Sequence, residues 1–166
     1  MTTHISAEMR AAVGSVVEWR VSFPVAASDI RRWAVATYYP DPPPRRSWDE
    51  ATRGGLIAPE EFNPFAWMVA DAMVPAIAPE RRDTDRLEKA IGLAGPGLRN
   101  QLNGGSRVTY FEAMRVGDVI RSETRLHEYS EREGRLGLML ITVTESTWTN
   151  QRGERVRLGY DTSIRY

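Results

Sequence analysis

The C-terminal part of the sequence, from residue 101 onward, is a succession of long β-type segments joined by short turns. In the third segment successive side chains point to opposite faces, so that Leu138, Leu140 and Trp148 share one face, and both faces are apolar at its start and more polar later. Glu133-Gly134 and Asn150-Gln-Arg-Gly153 have the residues typical of tight antiparallel turns. The sequence therefore predicts four consecutive antiparallel strands, at Leu102–Phe111, Val119–Glu131, Arg135–Thr149 and Glu154–Tyr166.

The first part of the chain reads as one further strand and several helices. A short helix at Ser6–Ala12 precedes a strand at Val16–Val25, which is rich in β-branched and aromatic residues. Ser28 is a suitable N-cap for a helix over Asp29–Thr37. The segment Pro64–Met73 is apolar almost all round and has proline in its first turn, so it predicts a buried helix.

This order of elements predicts an α+β fold in which a curved antiparallel sheet wraps around one central buried helix. The chain has 166 residues, which is enough for one core and too few for two ordinary domains. Residues 79–97 contain many charges between proline and glycine residues, and they predict a solvated helical insertion rather than a linker. We therefore expect a single domain over residues 1–166.

The composition excludes several classes of function. Its 22 basic and 22 acidic residues cancel and form no long run of one sign, which argues against a nucleic-acid partner. The sequence has no cysteine and only two histidines, so it offers no thiol nucleophile and no recognisable metal site. It also has no signal-peptide core and no membrane-spanning stretch, and a cytoplasmic location is expected.

The segment Ala34-Val-Ala-Thr-Tyr-Tyr-Pro-Asp-Pro-Pro-Pro44 resembles the catalytic loop of the MaoC-like (R)-specific enoyl-thioester hydratases. That loop runs approximately A-x-x-T-G-D-x-N-P-x-H. In this chain Tyr39 stands at the place of the aspartate, Asp41 at the place of the asparagine, and Pro44 at the place of the histidine. The resemblance thus covers the loop but not its acid and base.

Two other segments carry the same resemblance, within the family most clearly to the FAS1-like dehydratase domains. They are Gly54-Gly-Leu-Ile-Ala-Pro59 and Leu102-Asn-Gly-Gly105, the latter followed by Tyr110-Phe-Glu-Ala-Met-Arg-Val-Gly-Asp118. The resemblance implies a hot-dog fold, in agreement with the α+β order of the elements. It also implies an acyl thioester of coenzyme A or of a carrier protein as substrate, with no further cofactor.

In active members, the resemblance implies, the loop aspartate activates water and the histidine protonates the neighbouring carbon of the enoyl thioester. Proline cannot transfer a proton, and a tyrosine phenol with a pKa of about 10 is a poor base at neutral pH. Some family members work as pairs of hot-dog domains of which one has lost the catalytic residues. This chain resembles that half, and the implied partner is a MaoC-like catalytic sister subunit in a heterodimer.

Other functions remain open from the sequence alone. One is a non-enzymatic acyl-CoA-binding homodimer, and another is a hot-dog thioesterase that uses Asp71, the only charge in the apolar run from 65 to 74. His127 is a weak candidate for a general acid, since a cross-strand or surface position is the commoner use of such a residue. Asp41 is a candidate for a displaced acid or base, against a plain role in the turn.

The resemblance also implies where the substrate binds. The expected substrate-binding residues are Tyr38, Tyr39, Ile57, Asn103, Gly104 and Gly105. The glycine pair at 104 and 105 has a structural interpretation too, because glycine inside a strand is typical of a β-bulge. Three arginines are weaker candidates for contacts with coenzyme A phosphates, because isolated arginines on strands are commonly solvated; they are Arg107, Arg115 and Arg121.

Overall fold

The computed structural model describes residues 3–66, 68 and 83–166. In this part of the chain five strands and three short helices alternate with loops, and a single 3₁₀ turn lies at Arg45–Ser47. The elements in chain order are α1 (Ala7–Ala11), β1 (Val16–Val21), α2 (Ala27–Tyr38), α3 (Arg86–Ala90), β2 (Gln101–Tyr110), β3 (Arg121–Gly134), β4 (Gly137–Thr149) and β5 (Arg155–Arg165).

The five strands form one antiparallel sheet in the order β1-β3-β4-β5-β2. All four of the predicted C-terminal strands are present within a few residues of their expected bounds. β1 and β2 are the two edges of the described sheet, and each pairs with one neighbour only. The sheet and its helices confirm the predicted α+β fold class.

The two hairpins differ in how well the sequence located their turns. The Asn150–Gly153 turn is where it was expected, and the Asn150 carboxamide oxygen accepts hydrogen bonds from the amides of Arg152 and Glu154. The β3–β4 turn has Arg135 and Leu136 at its centre, between the paired Gly134 and Gly137. The predicted position at residues 133 and 134 was slightly early, because Gly137 supplies the positive φ of 89°.

Side chains alternate between two faces of the sheet. We call inner the face on which β4 carries Thr142, Thr144, Ser146 and Trp148, and outer the face on which it carries the residues between them. At the Trp148 end, the inner face packs against the main hydrophobic core, which includes Ile30, Phe62 and Phe65. At the Leu140 end it packs against a second cluster with Ile5 and Met9 from the N-terminal segment.

Six of the ten residues of the predicted central helix at Pro64–Met73, residue 67 and residues 69–73, lie outside the described residues. The described chain reaches the inner face at Phe65, whose ring packs edge-on against Trp148. It continues at residue 83, and Thr84 again borders the inner face. Among the described helices none is long and apolar enough to cross a membrane.

Helix α2 begins earlier than the sequence predicted. The carbonyl of Ala26 accepts hydrogen bonds from the amides of Asp29 and Ile30, so Ala26 is the N-cap and Ser28 lies inside the first turn. The predicted Ser28 cap is therefore wrong. Ile30 and Ala34 lie on the buried face of the helix and are fully buried.

Helix α3 is anchored to the sheet by buried charges. Arg165 on β5 is 2 % exposed, and its guanidinium donates to both carboxylate oxygens of Glu88, at 2.6 and 3.0 Å. It also donates to Asp85 and to the Thr142 hydroxyl. The Tyr129 hydroxyl donates to Glu88 at 2.6 Å. We refer to Asp85, Glu88, Tyr129, Thr142 and Arg165 as the Arg165 cluster.

The β-bulge that the glycine pair predicts is present in β2. The register with β5 shifts between Asn103 and Gly105, and the Asn103 side chain accepts a hydrogen bond from the Gly105 amide at 2.8 Å. A Cβ atom on Gly104 would lie 2.7 Å from Cγ2 of Thr162, so only glycine fits against β5 at this position. The bulge thus depends on close contact between two strands.

We expect Gly104→Ala to lower the free energy of unfolding by about 1–3 kcal/mol, because the added methyl group overpacks the contact with Thr162. The measurement is urea unfolding followed by circular dichroism. Thr162→Ser removes the methyl carbon that the new side chain would meet, so Gly104→Ala/Thr162→Ser should recover part of the loss. Equal stability of the Gly104→Ala variant and the unmodified chain would contradict this account.

Candidate functional site

The loop that follows α2 contains the positions of the missing catalytic residues. Tyr38 is the last residue of α2, and its carbonyl accepts a hydrogen bond from the amide of Asp41 at 2.8 Å. The Tyr39 side chain is 80 % exposed, and Asp41 is exposed as well. Pro44 is half-buried and precedes the 3₁₀ turn. The loop therefore presents a phenol and a carboxylate to solvent.

The loop is fixed to the segment Gly54–Pro59 by a buried serine. The Ser47 hydroxyl, which is fully buried, donates to the carbonyl of Ile57 at 2.7 Å. The Ile57 amide in turn donates to the carbonyl of Arg46 at 2.8 Å. The backbone at Ile57 is thus held directly behind the 3₁₀ turn, and its side chain remains partly accessible.

The same segment is fixed on its other side to the chain before β3. The Ala58 amide donates to the carbonyl of Met114 at 2.9 Å, and Ile57 forms an isolated bridge with Arg115. The Arg115 guanidinium donates to the carbonyl of Gly54 at 2.9 Å. The 3₁₀ turn that follows the loop therefore meets two segments that resemble the family pattern, 54–59 and 110–118.

Asp118 organises this meeting point. Its carboxylate is 2 % exposed and accepts hydrogen bonds from the Arg115 amide at 2.8 Å, from Arg152 at 3.0 Å and from Gln151 at 3.1 Å. The carbonyl of Asp118 accepts from the amide of Val25 at 2.9 Å, just before α2. Asp118 is thus a structural residue that connects the turn before β3, the β4–β5 turn and the entry to α2.

Asn103, Gly104 and Gly105 lie elsewhere. They pair with Thr162 and Ser163 near the end of β5, whereas the meeting point of the three segments is beyond Tyr110, at the opposite end of β2. Seven residue steps of extended strand separate Asn103 from Tyr110, which is roughly 20 Å. Within the described chain the expected substrate-binding residues therefore fall into two separate groups.

Comparison with known proteins shows the family of the chain. The model of the FAS1-like dehydratase domain region matches residues 11–158, which is most of the chain. The protein belongs to the FAS1-like dehydratase family. No curated protein sequence matches it significantly.

Three solved structures show that this FAS1-like dehydratase domain has the hot-dog fold. A chain of the ChsH1–ChsH2 complex from Mycobacterium tuberculosis is 15% identical, with a TM-score of 0.64 over 96% of this chain and 88% of that one. The MaoC-like dehydratase from Rhodospirillum rubrum is 20% identical, with a TM-score of 0.52 over 93% and 92%. A chain of the M. tuberculosis HadBC (3R-hydroxyacyl-ACP dehydratase) complex is 18% identical, with a TM-score of 0.52 over 92% and 96%.

Both histidines of the FAS1-like dehydratase chain are engaged away from the loop. The His4 ring nitrogen lies 3.0 Å from the carbonyl of Leu138, beside the β3–β4 hairpin. His127 lies at a bulge in β3, where its ring is 5.0 Å from that of Tyr160 and its nitrogen is 3.7 Å from the Glu145 carboxylate. Glu145 and Tyr160 are on the outer face, so this is the cross-strand position that the sequence favours for His127.

One further predicted candidate falls outside the described part of the chain. Asp71, the candidate base of a thioesterase, lies outside the described residues and stays a prediction. In the described part of the chain no three histidine, aspartate or glutamate side chains are placed to hold a metal ion. A hydrogen bond to Glu145 and, to a smaller extent, burial raise the pKa of Tyr160 above its ordinary value.

The arginines named from the sequence have structural contacts instead of a common binding site. Arg107 lies over the ring of Tyr160 on the outer face, and Arg121 approaches the ring of Trp19 at 6.0 Å. Sequence reasoning missed Arg20 and Arg157, which border the inner face together with Trp148. The sequence did indicate room for the Arg157 side chain along β5. Gly159, two positions later, lies on the same face of the strand and has no side chain.

Proposed function

We propose that this chain is the non-catalytic half of an acyl-thioester hydratase or dehydratase, and that it acts with a hot-dog partner that supplies the catalytic aspartate and histidine. The observation that carries the proposal is the loop after α2, where Tyr39 and Pro44 occupy the places of the acid and base. The chain has only two histidines, and both rings are engaged elsewhere. Addition of water to a double bond needs a proton acceptor and a proton donor, and the loop lacks the aspartate and the histidine that the family pattern has at these places.

The separation of the expected binding residues favours a site that two chains complete together. β2 is an edge of the described sheet, so its outward backbone groups are available to a second strand. Antiparallel pairing along β2 would place the loop end of a partner beside Asn103–Gly105 of this chain, because antiparallel strands bring opposite ends together. The part of the expected binding site at Asn103–Gly105 of this chain would then lie beside the catalytic loop of its partner.

The similar structures are consistent with a partnership. Two of the compared chains come from complexes whose names give two different components, ChsH1–ChsH2 and HadBC, and the second is named as a 3R-hydroxyacyl-ACP dehydratase. In our proposal this chain shapes the acyl site, and the partner activates the water. The carrier is either coenzyme A or an acyl carrier protein, and the thioester itself needs no further cofactor.

We expect the purified chain alone to show no hydration of crotonyl-CoA, and the complex with its catalytic partner to show it. The partner is identified by mass spectrometry after the tagged chain is purified from its native host, and both chains are then produced together. The hydration rate is followed by the loss of ultraviolet absorbance of the enoyl thioester. Hydratase activity of this chain by itself at a rate comparable to that of the complex would reject the proposal.

Asp41→Asn provides the matched control in the same complex. It removes the only carboxylate of the loop but keeps its size, so it tests whether Asp41 has become a displaced acid or base. We expect the activity of the complex to be unchanged. A loss of about a hundredfold, the size of a general acid–base contribution, would instead assign the chemistry to this chain. Recovery of the chain only as a homodimer without activity would favour the acyl-CoA-binding alternative.

A further inference from the structure

The outer face of the sheet carries a group of adjacent apolar side chains near the β3–β4 turn. Residues paired across two strands point to the same face, so the register places Leu102, Ile164 and Ile141 side by side on β2, β5 and β4. Met139 and Val143 lie two residues from Ile141 in either direction along β4. Leu102 is 48 % exposed, and the other four are half-buried. We call these five residues the outer patch.

The outer patch is turned away from the rest of the described chain. Phe65 and Thr84, at which the chain approaches the sheet, both lie on the inner side. None of the five patch residues belongs to either hydrophobic cluster of the described residues. Adjacent apolar side chains on a sheet face outside the core are typical of an interaction surface.

Two charges of opposite sign flank the outer patch on β3. Glu128, Ser130 and Arg132 are the β3 partners of the three patch residues on β4. Glu128 and Arg132 are exposed, and neither forms a hydrogen bond or an ion pair with another described residue, whereas Arg125 on the same strand pairs with Glu123 at 2.6 Å. Four residue steps of extended strand place the two charges roughly 13 Å apart, one on each side of Ser130.

The rows of paired residues determine how two such faces fit together. One row crosses four strands, from β3 to the edge strand β2, and consists of Ser130, Ile141, Ile164 and Leu102. A two-fold axis along this row, midway between two facing sheets, places each residue of the row opposite its own copy. The centre of the contact is then apolar on both sides, as in the packing of one sheet on another.

The same axis exchanges the two rows that lie on either side of it. Met139 of one copy faces Val143 of the other, and Arg132 of one copy faces Glu128 of the other. Apolar side chains thus meet apolar ones, and each unpaired charge meets a charge of opposite sign. Packed sheets are about 10 Å apart, a distance that an arginine and a glutamate side chain span together. A second copy therefore accounts for both charges with one kind of contact.

We propose that the outer patch is an interface between two copies of this chain, packed sheet against sheet, with Arg132 of each copy beside Glu128 of the other. This association uses the face of the sheet and is separate from strand pairing along the edge of β2. It doubles the mass of the chain by itself, and it joins two complexes of the chain with a catalytic partner. The interface does not depend on the proposed function.

The first test is the mass of the purified full chain as a function of concentration, measured by analytical ultracentrifugation. Ile141→Glu places two carboxylates opposite each other on the axis. We expect it to weaken association about a hundredfold or more, since like charges across an interface are strongly unfavourable. Circular dichroism checks that the variant is folded. Equal masses of the unmodified chain and of folded Ile141→Glu at every concentration up to the millimolar range would overturn the proposal.

Reversal of exposed charges tests the register without disturbing the core. Arg132→Glu and Glu128→Arg each place like charges opposite one another, and each should weaken association about tenfold. Arg132→Glu/Glu128→Arg restores opposite signs across the axis and should recover the association. Arg121→Glu is the matched control, because it changes the same charge on the same face of β3 but its counterpart position lies beyond the β3–β4 turn. No recovery in the double variant, or an equal loss in Arg121→Glu, would reject the packing.

The chain has no cysteine, so single thiols can report distances between copies. Ser130→Cys places a thiol on the axis, and a bismaleimide that spans about 10 Å, the spacing of packed sheets, should join two chains. Thr147→Cys is the control, since Thr147 lies on the same face six positions from Ile141, roughly 20 Å from the axis and roughly 40 Å from its copy. Equal cross-linking of both variants would contradict the proposal. In an extract of the native host, a cross-link from Ser130→Cys to a different protein instead of a second copy would assign the face to that protein and overturn it.

Discussion

Arg165→Met is expected to lower the free energy of unfolding by about 3–5 kcal/mol at pH 7, the cost typical of removing one partner from a buried ion pair. The substitution leaves Glu88, which is 0 % exposed, without its bidentate cation and leaves Asp85 with one charged partner fewer. Methionine fills much of the volume of the arginine stem, so the effect reports on charge more than on packing. Urea unfolding measures it.

The loss of stability caused by Arg165→Met should depend on pH, and the pKa of Glu88 determines the direction of this dependence. Burial favours the neutral form of Glu88, but the hydrogen bonds from Arg165 and Tyr129 outweigh it and place the pKa of Glu88 below its ordinary value. In the unmodified chain this stability is present above the unfolded pKa of about 4.3 and is lost as the pH falls through the lower folded pKa. Without Arg165 only burial and Tyr129 remain, so the pKa of Glu88 rises. We therefore expect the cost of Arg165→Met to be larger at pH 8 than at pH 5.

Two further variants separate the buried charge from other effects. Arg165→Met/Glu88→Met removes both members of the pair, and we expect it to be more stable than Arg165→Met alone, since the unpaired carboxylate is gone. Arg125→Met is the surface control, because Arg125 pairs with Glu123 at 2.6 Å while 47% exposed. Its cost should stay below about 1 kcal/mol. Equal losses for Arg125→Met and Arg165→Met would contradict the assigned role of burial.

The Arg165 cluster also illustrates what the sequence does not reveal. Arg165 and Glu88 are 77 positions apart, and Arg165 is the next-to-last residue of the chain, where a solvated arginine is the ordinary expectation. Nothing in the local pattern of either residue indicates a buried pair. Only the register of β5 beside β4 places Arg165 opposite Leu140 on the inner face, within reach of α3. Pairing of this kind depends on tertiary structure.

The strands, in contrast, were predictable because their signals are local. The conformation of a strand or turn depends on residues within a few positions, namely the alternating side chains of the strand and the glycine or asparagine of the turn. The glycine pair at 104 and 105 likewise indicated the bulge in β2. Ser28 was a misleading signal, since a serine can lie in the first turn as well as at the cap. The error at α2 therefore concerns where the helix begins, and the helix itself was predictable.

The candidate site was predictable only in part. The resemblance named Tyr38, Tyr39 and Ile57 as binding residues, and hydrogen bonds hold the backbone of Ile57 against the 3₁₀ turn that follows the loop. The position of Asn103–Gly105 at the far end of β2 could not be inferred from spacing along the chain, because it depends on which edge of the sheet β2 occupies. The contacts of Arg20 with Phe65 and of Arg157 with Trp148 were missed because the partners of each contact come from separate parts of the sequence.

Asp118→Ala is expected to lower the free energy of unfolding by about 2–4 kcal/mol, because it leaves several hydrogen-bond donors without their acceptor at a buried position. Asp118 is 2 % exposed and accepts from the Arg115 amide, from Gln151 and from Arg152. The loss should extend to the loop scaffold, since Arg115 holds Gly54 and Ile57. Amide hydrogen exchange at Ile57 and Ala58, measured together with urea unfolding, tests both parts of this expectation.

Asp118→Asn distinguishes the backbone contact from the charge. Its carboxamide oxygen can still accept from the Arg115 amide, but its NH₂ group then faces the donors of Gln151 and Arg152. We therefore expect a smaller loss of stability than for Asp118→Ala, and protection of Ile57 and Ala58 close to that of the unmodified chain. Glu154→Ala is the exposed control, because it removes the other carboxylate paired with Arg152, at 2.7 Å, without touching Arg115. If Glu154→Ala exposed the Ala58 amide to exchange as much as Asp118→Ala does, the scaffold would depend on the β4–β5 turn as a whole and not on the Asp118 carboxylate.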